Sequence, residues 1–172
     1  EYAYTTALSG RMGPVLLDFP FDVQSSVITP RLWTRDTPLV VMPTTEEIER
    51  VCQLVENSKR PVILAGHGIK LSKSVELFKS RMKSLNIPTL LTWSAIDIID
   101  HNNPLFFGSP GVYGQRSANF IFQKCDLLIT LGTRLTIPQT GYDMKEVARN
   151  ATIVMVDIDE SEFKEFVDFP IR

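Results

Sequence analysis

The chain has 172 residues, of which 44% are hydrophobic and 22% are charged, and its formal net charge is −2. This composition is ordinary for one globular domain with a sizeable core, and the absence of a basic excess argues against nucleic acid or an anionic membrane as a partner. No apolar run reaches the roughly 18 residues of a membrane span. Two cysteines, Cys52 and Cys125, are too few for a disulfide framework, so we expect a reducing, cytoplasmic setting.

Five short apolar runs are candidates for buried strands. They are continuous rather than alternating, which is typical of strands covered on both faces of a parallel sheet. In chain order they span residues 14–19, 61–66, 88–93, 126–132 and 152–159. The first run follows EYAYTTALSG, which has the pattern of a helix end, and we expect this part to belong to a preceding domain. The chain is therefore interpreted as an excised part of a longer protein.

Helical patterns separate the later runs. Thr44 and Glu47 form a capping box ahead of apolar positions with helical spacing. Residues 72–86 and 114–125 carry similar apolar stripes. Strands that alternate with helices predict an α/β fold, in which a doubly wound, mostly parallel sheet has helices on both faces.

Residues 25–43 interrupt this alternation. They contain Pro30, Pro38 and Pro43 and show no helical period, which predicts an extended linker. We therefore divide the chain into the tail of a preceding domain at 1–24, the linker at 25–43, and a nucleotide-binding-like domain at 44–172.

The segment AGHGIK, residues 65–70, follows a predicted strand and opens a helix. Such a turn can receive a phosphate, although the third glycine of the dinucleotide fingerprint is missing and a plain tight turn is the alternative. His67 lies between the two glycines and has no second titratable group close to it in sequence. We interpret it as a residue that positions the backbone rather than as a base.

Three further segments carry polar or glycine-rich signals. Gly108, Gly111 and Gly114 lie three apart ahead of a helix, where glycines allow a ligand close to the backbone or simply build a long loop. Arg134 follows the fourth apolar run, and Asp157 and Asp159 end the fifth. Because carboxyl ends of parallel strands form the ligand-binding edge of an open sheet, the convergence predicts a nucleotide-shaped ligand.

Signals of bond-making chemistry are absent from the sequence. No Cys/His spacing suits a metal, and neither a G-x-S-x-G elbow nor a Cys with a nearby His occurs. Cys52 and Cys125 are embedded in apolar patterns, which favours structural roles. The domain is predicted to hold a ligand rather than to catalyse.

Several segments together carry a family resemblance. SGRMGPVLLDFPFDVQ, RPVILAGHGI, GVYGQRSAN, DLLITLGTRL and ATIVMVDID occur in the order and spacing of thiamine-diphosphate-dependent enzymes of the acetolactate synthase type. The chain resembles the end of their pyrimidine-binding domain followed by their central domain, a six-stranded parallel sheet. The resemblance implies a 2-oxo acid decarboxylase or carboligase that is a homodimer or homotetramer. Its thiamine diphosphate and Mg²⁺ are bound outside this chain, and the chain alone is expected to be inactive.

In the flavin-carrying members of that family the central domain holds FAD. By position, the resemblance implies cofactor contacts from Arg11, Gly66, His67, Gly68, Thr92, Trp93, Pro110, Gly111, Val112, Tyr113, Gly132, Thr133, Arg134, Asp157 and Ile158. Arg134 is expected at the pyrophosphate or a nearby polar atom, a charge-assisted contact worth roughly 1.5–3 kcal/mol.

The chain departs from the flavin-dependent pattern at three places. Residues 135–139, LTIPQ, replace a stretch that usually carries two acids and an arginine. Tyr113 stands in place of a histidine, and Phe21 in place of a lysine. Two alternatives therefore stay open. One is a central domain that binds ADP or nothing and links the thiamine-binding domains, and the other is a free-standing NAD-type nucleotide-binding protein.

Overall fold

A computed structural model describes residues 2–29, 41–163 and 167–171. The chain divides into two compact units, residues 1–41 and 42–172. The first unit contains helix α1 (Tyr2–Leu8) and the short helix α2 (Phe21–Gln24). Most of the predicted linker, residues 30–40, lies outside the described residues, and residues 25–29 and 41–43 contain neither helix nor strand.

The prediction of a strand at residues 14–19 is wrong for this structure. These residues have no regular structure, and large apolar side chains such as Leu16 and Phe19 are exposed. A strand is stabilised by hydrogen bonds to a neighbouring strand. The described residues of the first unit supply no such neighbour.

The second unit is built on a parallel sheet of five strands. They are β1 (Pro61–Ala65), β2 (Thr89–Leu91), β3 (Leu127–Leu131), β4 (Thr152–Val156) and β5 (Phe169–Ile171), in the order β2-β1-β3-β4-β5. Every neighbouring pair is parallel, which confirms the predicted α/β fold. The six strands implied by the family resemblance are not confirmed, because the described residues form five.

Strand β5 was not predicted from the sequence. It is only three residues long and contains Pro170, which cannot donate a ladder hydrogen bond. Proline is tolerated at such a position because β5 is the last strand of the sheet order, paired with β4 alone. A short strand with a central proline carries no pattern that separates it from a loop.

The helices of the second unit follow the predicted alternation. They are α3 (Thr45–Asn57), α4 (Gly68–Leu71), α5 (Val75–Leu85), α6 (Arg116–Lys124) and α7 (Ile137–Thr140), with 3-10 helices at Trp93–Ala95, Met144–Glu146 and Glu160–Glu162. The capping box is confirmed, because Glu47 N donates to Thr44 Oγ1 at 3.2 Å and Thr44 N donates to Glu47 Oε2 at 2.7 Å. No helix in the described ranges is long and apolar enough to cross a membrane.

Two apolar cores lie on opposite faces of the sheet. Ile63 and Ile129 pack with the side chains of α3 and α5, whereas Leu64 and Leu128 pack with those of α6. Alternate strand residues therefore enter different cores, and both faces are covered, as the continuous apolar runs predicted. Each fully buried side chain of this kind contributes roughly 1.5–3 kcal/mol. The two cores make the sheet a rigid platform for the loops at its edges.

Candidate functional site

Four of the predicted segments meet at the carboxyl edge of the sheet. They are residues 66–68 after β1, 92–93 after β2, 132–134 after β3 and 157–158 after β4. Backbone hydrogen bonds connect them, since Gly66 N donates to Leu131 O at 2.8 Å and Gly132 N donates to Val156 O at 2.9 Å. The parallel topology thus brings together segments that are about 90 residues apart in sequence.

The glycines of this edge allow two backbones to touch. A Cβ on Gly66 would lie 2.2 Å from Gly132 O, and a Cβ on Gly68 would lie 2.6 Å from Gly132 Cα. Gly132 itself has φ +57°, a left-handed conformation that favours glycine. Gly68 N donates to Gly132 O at 3.0 Å. Close packing of the two turns therefore explains these glycines, and a phosphate contact from their amides stays a prediction.

His67 contacts the turn that follows β2. Its Nδ1 lies 3.0 Å from Ser94 O, and Lys70 Nζ donates to the same carbonyl at 3.2 Å. Lys70 also forms an ion pair with Asp97. The hydrogen bond that Lys70 donates to the Asp97 carboxylate holds the pKa of Asp97 below its usual value. A bond from the ring to a backbone carbonyl is the kind of contact expected of a residue that positions the backbone.

Two buried hydroxyl groups belong to Thr92, directly after β2, and to Ser109, in the loop ahead of α6. Leu91 N donates to Gly108 O at 3.0 Å, and Thr89 pairs with Phe106 in a parallel bridge. Thr92 and Ser109 each directly follow one of the two bonded residues Leu91 and Gly108, so both lie near the carboxyl end of β2. Thr92 is 5% exposed and Ser109 is 3% exposed, and neither hydroxyl has a hydrogen-bond partner in the part of the chain that the structure describes.

Such unpaired groups are uncommon in folded proteins. A buried donor or acceptor without a partner costs about 1–3 kcal/mol, and each case needs an explanation. Two of them at the edge where a ligand is predicted mark candidate positions for polar groups of that ligand. Thr92 was predicted, whereas sequence reasoning missed Ser109. Its only signal in the sequence was the glycine before it, because the burial of Ser109 depends on the tertiary fold.

The rings of Trp93 and Tyr113 form an exposed aromatic pair at the same edge. Their centroids are 5.4 Å apart with an interplanar angle of 42°, and the residues are 53% and 77% exposed. The loop that carries Tyr113 is anchored by Asn119, which accepts from Gly111 N at 2.7 Å and donates to Gly111 O at 2.9 Å. An exposed, anchored aromatic pair is a surface onto which a flat ring can stack.

Residues 135–139, the stretch that departs from the family pattern, are part of the framework of the site. Leu135 is fully buried and has φ +49°, and Pro138 O accepts from Val112 N at 2.8 Å. The buried Thr133 donates through Oγ1 to Gln139 Oε1 at 3.3 Å. Residues 135–139 thus hold the loop around Val112 in place and present no charged side chains to it.

Arg134, the cation expected at the ligand, has a partner within the protein. Its Nε lies 2.6 Å from Oε1 of Glu162, whose side chain is 6% exposed, whereas the Arg134 side chain is 56% exposed. Sequence reasoning missed Glu162, because it lies on the 3-10 helix after β4 and no local pattern links it to Arg134. The expected contact of Arg134 with a ligand stays a prediction.

The remaining predicted residues lie in different surroundings. Asp157 is buried and accepts from Asp159 N at 3.1 Å, whereas Ile158 beside it is exposed. Pro110 is buried in the loop ahead of α6. Arg11 lies in an exposed bend of the first unit, and its part in cofactor binding stays a prediction. No cluster of His, Cys, Asp or Glu suited to a metal ion occurs among residues 2–29, 41–163 and 167–171.

Comparison with known proteins extends these observations. The model of the family described as thiamine pyrophosphate enzyme, central domain, matches residues 48–172. A probable acetolactate synthase large subunit from Methanococcus aeolicus is 35% identical over 98% of this chain and 30% of its own length. Acetolactate synthase isozyme 2 large subunit from Escherichia coli is 29% identical over 93% of the chain and 29% of its own length. Acetolactate synthase 1, chloroplastic, from Zea mays is 35% identical over 94% and 26%.

Proposed function

Since the chain belongs to the family of thiamine pyrophosphate enzyme central domains, we propose that it serves a 2-oxo acid decarboxylase or carboligase resembling acetolactate synthase. The chain spans about 30% of the length of the relatives it matches. Thiamine diphosphate and Mg²⁺ belong to other parts of the polypeptide in this proposal, and this domain connects and orients those parts. The intact enzyme is a homodimer or homotetramer, and these 172 residues alone have no activity.

The proposed role of the carboxyl edge is to hold FAD or a related nucleotide. The observation that carries this proposal is the pair of buried, unpaired hydroxyls on Thr92 and Ser109. A ligand with hydroxyl or carbonyl groups would satisfy both, which removes a penalty of about 1–3 kcal/mol for each. A purely structural linker gains nothing from leaving these two groups without partners.

The residues present fit the parts of FAD. FAD supplies a flat ring system, a charged pyrophosphate and an adenosine. The exposed Trp93 and Tyr113 rings offer a stacking surface, and Arg134 offers a cation for the pyrophosphate. Asp157 at the end of β4 offers a carboxylate for a ribose hydroxyl.

A structural spacer that binds ADP or nothing is the second candidate. Two observations favour it: Arg134 is already paired with Glu162, and Gly66 and Gly132 are explained by packing. Residues 135–139 also carry none of the charges of the flavin-dependent pattern. A free-standing NAD-type protein is less well supported, because the relatives match this chain within much longer proteins.

Thermal unfolding of the intact protein with excess FAD, ADP or NAD tests the proposal. A ligand at 100 times its Kd that binds only the folded state adds about 2.7 kcal/mol, which raises Tm. We expect FAD to raise Tm, and the variants Arg134→Ala and Thr92→Val to reduce that rise. Thr89→Val is the matched control, because Thr89 is buried on the same strand but its hydroxyl donates to Ile87 O at 3.2 Å.

The alternatives predict different results. If ADP alone raises Tm, the flavin part of the proposal fails, and if no nucleotide does, the spacer role replaces it. The expected inactivity of the chain by itself is tested by a carboligation assay with added thiamine diphosphate and Mg²⁺. Activity from residues 1–172 alone contradicts that part of the proposal.

A further inference from the structure

Arg134 and Glu162 form an ion pair whose members differ strongly in exposure. The Glu162 side chain is 6% exposed and the Arg134 side chain is 56% exposed. An ion pair that reaches the surface contributes little stability, and a buried pair is often no more stabilising than well-packed apolar residues in its place. We propose that Glu162 is a positioning residue, which holds the guanidinium of Arg134 in place for a phosphate group of the nucleotide. This inference rests on the proposed function.

The backbone on both sides of Arg134 is held in place. Thr133 and Leu135 are both buried, and the Thr133 hydroxyl donates to Gln139 Oε1. Leu135 adopts φ +49°, which is unfavourable for a residue with a branched side chain and persists only where packing requires it. Arg134 therefore leaves the core from a defined point, and only its long side chain still has to be oriented.

The partner of Arg134 is held in place as well. Asp159 caps the 3-10 helix Glu160–Glu162 by accepting from Ser161 N at 3.1 Å, and Glu162 N donates to Asp159 O at 3.0 Å. This helix follows β4 directly, whereas Arg134 follows β3. The ion pair therefore joins the ends of two neighbouring strands at the edge where open sheets bind nucleotides.

The chemistry of the guanidinium explains why a contact at Nε is useful. A guanidinium has five N–H groups, of which Nε carries one and the terminal nitrogens carry four. A carboxylate at Nε restrains the plane of the group, and the terminal N–H groups match the oxygen atoms of a phosphate. A restrained side chain loses less conformational entropy on binding, which favours the bound state.

ADP binding to the intact protein tests this role, with Kd measured by calorimetry for the wild type and for Glu162→Gln. Loss of the negative charge is expected to weaken ADP binding by about tenfold, and binding of adenosine, which has no phosphate, by less than about twofold. Glu146→Gln is the matched control. It removes a carboxylate that pairs with Nε of Arg149 at 2.8 Å, and it should leave Kd unchanged.

A double-mutant cycle shows whether Glu162 acts through Arg134. In an Arg134→Ala background, Glu162→Gln should have no further effect on Kd for ADP, because a positioning residue needs the group that it positions. If Glu162→Gln destabilises the protein too far, Glu162→Asp keeps the charge but shortens the side chain, and a partial loss of affinity is expected.

The outcomes separate this inference from the proposed function. Additive effects in the cycle, equal losses for ADP and adenosine, or tighter ADP binding by Glu162→Gln would overturn the positioning role while nucleotide binding stands. A wild-type protein that binds neither FAD nor ADP overturns the proposed function, and the inference falls with it.

Discussion

The two edges of the sheet differ in how their polar groups are satisfied. At the amino edge, where strands begin, carboxylates accept from backbone amides. Asp126, directly before β3, accepts from Lys59 N at 2.9 Å and Arg60 N at 2.8 Å, and Asp168 accepts from Ile153 N at 2.7 Å. Arg60 Nε in turn donates to Lys124 O at 2.8 Å. These groups find their partners within the chain.

At the carboxyl edge, in contrast, two buried hydroxyl groups have no hydrogen-bond partner among the described residues. They belong to Thr92 and Ser109. Proteins keep such features where function requires them, because they lower stability. The difference supports the proposal that the carboxyl edge is the functional side of the domain and the amino edge its structural side.

The largest expected effect concerns the glycine contact beneath the carboxyl edge. Gly66→Ala places a Cβ 2.2 Å from the backbone oxygen of Gly132, so the ends of β1 and β3 must separate. We expect a loss of at least about 2 kcal/mol in the free energy of unfolding, measured by urea titration. The control is Gly13→Ala, because a Cβ at Gly13 meets nothing within 4 Å. Similar losses for both variants would contradict the packing explanation.

The next effect concerns the amino edge. Asp126→Ala removes two hydrogen bonds from backbone amides and should cost about 1–3 kcal/mol. Asp126→Asn keeps one acceptor oxygen and should cost less. The measurement is the urea midpoint of each variant at pH 7. An unchanged midpoint for Asp126→Ala would show that this edge does not depend on its carboxylates.

The same carboxylate predicts a pH dependence. Although burial favours the protonated acid, the amides of Arg60 and Lys59 hold the pKa of Asp126 below its usual value. Its stabilising contribution is therefore complete above the unfolded pKa of about 3.9 and is lost as pH falls through the lower folded pKa. The stability difference between wild type and Asp126→Asn should shrink when the urea titration is repeated below about pH 3.9.

A smaller effect on stability distinguishes Thr89, in β2, from Thr92, directly after it. Loss of the hydroxyl group should have opposite signs at the two positions. Without nucleotide, Thr92→Val removes an unpaired buried hydroxyl and should be neutral or stabilising by up to about 1 kcal/mol. Thr89→Val removes a hydroxyl that donates to Ile87 O and should cost about 1 kcal/mol. Thermal unfolding of both variants measures the difference. Equal costs would mean that the Thr92 hydroxyl is satisfied in the folded protein.

The last prediction concerns the reactivity of the two cysteine thiols rather than the free energy of unfolding. Burial raises the pKa of Cys125, at the amino end of β3, to about 11, whereas Cys52 on α3 is exposed. Iodoacetamide at pH 8 should therefore modify Cys52 and leave Cys125 unmodified until the protein unfolds, because the thiolate is the reactive form. Mass spectrometry of digested protein reads out each site. Rapid labelling of Cys125 would show that this edge opens.

Much of the fold could be predicted because its signals are local. Thr44 and Glu47 are three residues apart, so their capping box is visible in the sequence. The apolar runs at 61–66, 126–132 and 152–159 became β1, β3 and β4, because continuous apolar character is required when both faces of a strand are covered. The run at 14–19 is also continuously apolar, but the described part of the first unit contains no strand that could pair with it. Apolar character alone therefore did not produce a strand.

The candidate site could be predicted only in part, because many of its contacts are not local in sequence. The sequence by itself determined which segments end strands and therefore which residues share the carboxyl edge, since parallel topology places all those ends together. The tertiary structure alone decided that Glu162 meets Arg134, that the hydroxyls of Thr92 and Ser109 are buried without partners among the described residues, and that Gly66 packs on Gly132. These contacts join residues from different strand ends or loops. Strand order and register set them, and neither can be seen in a window of neighbouring residues.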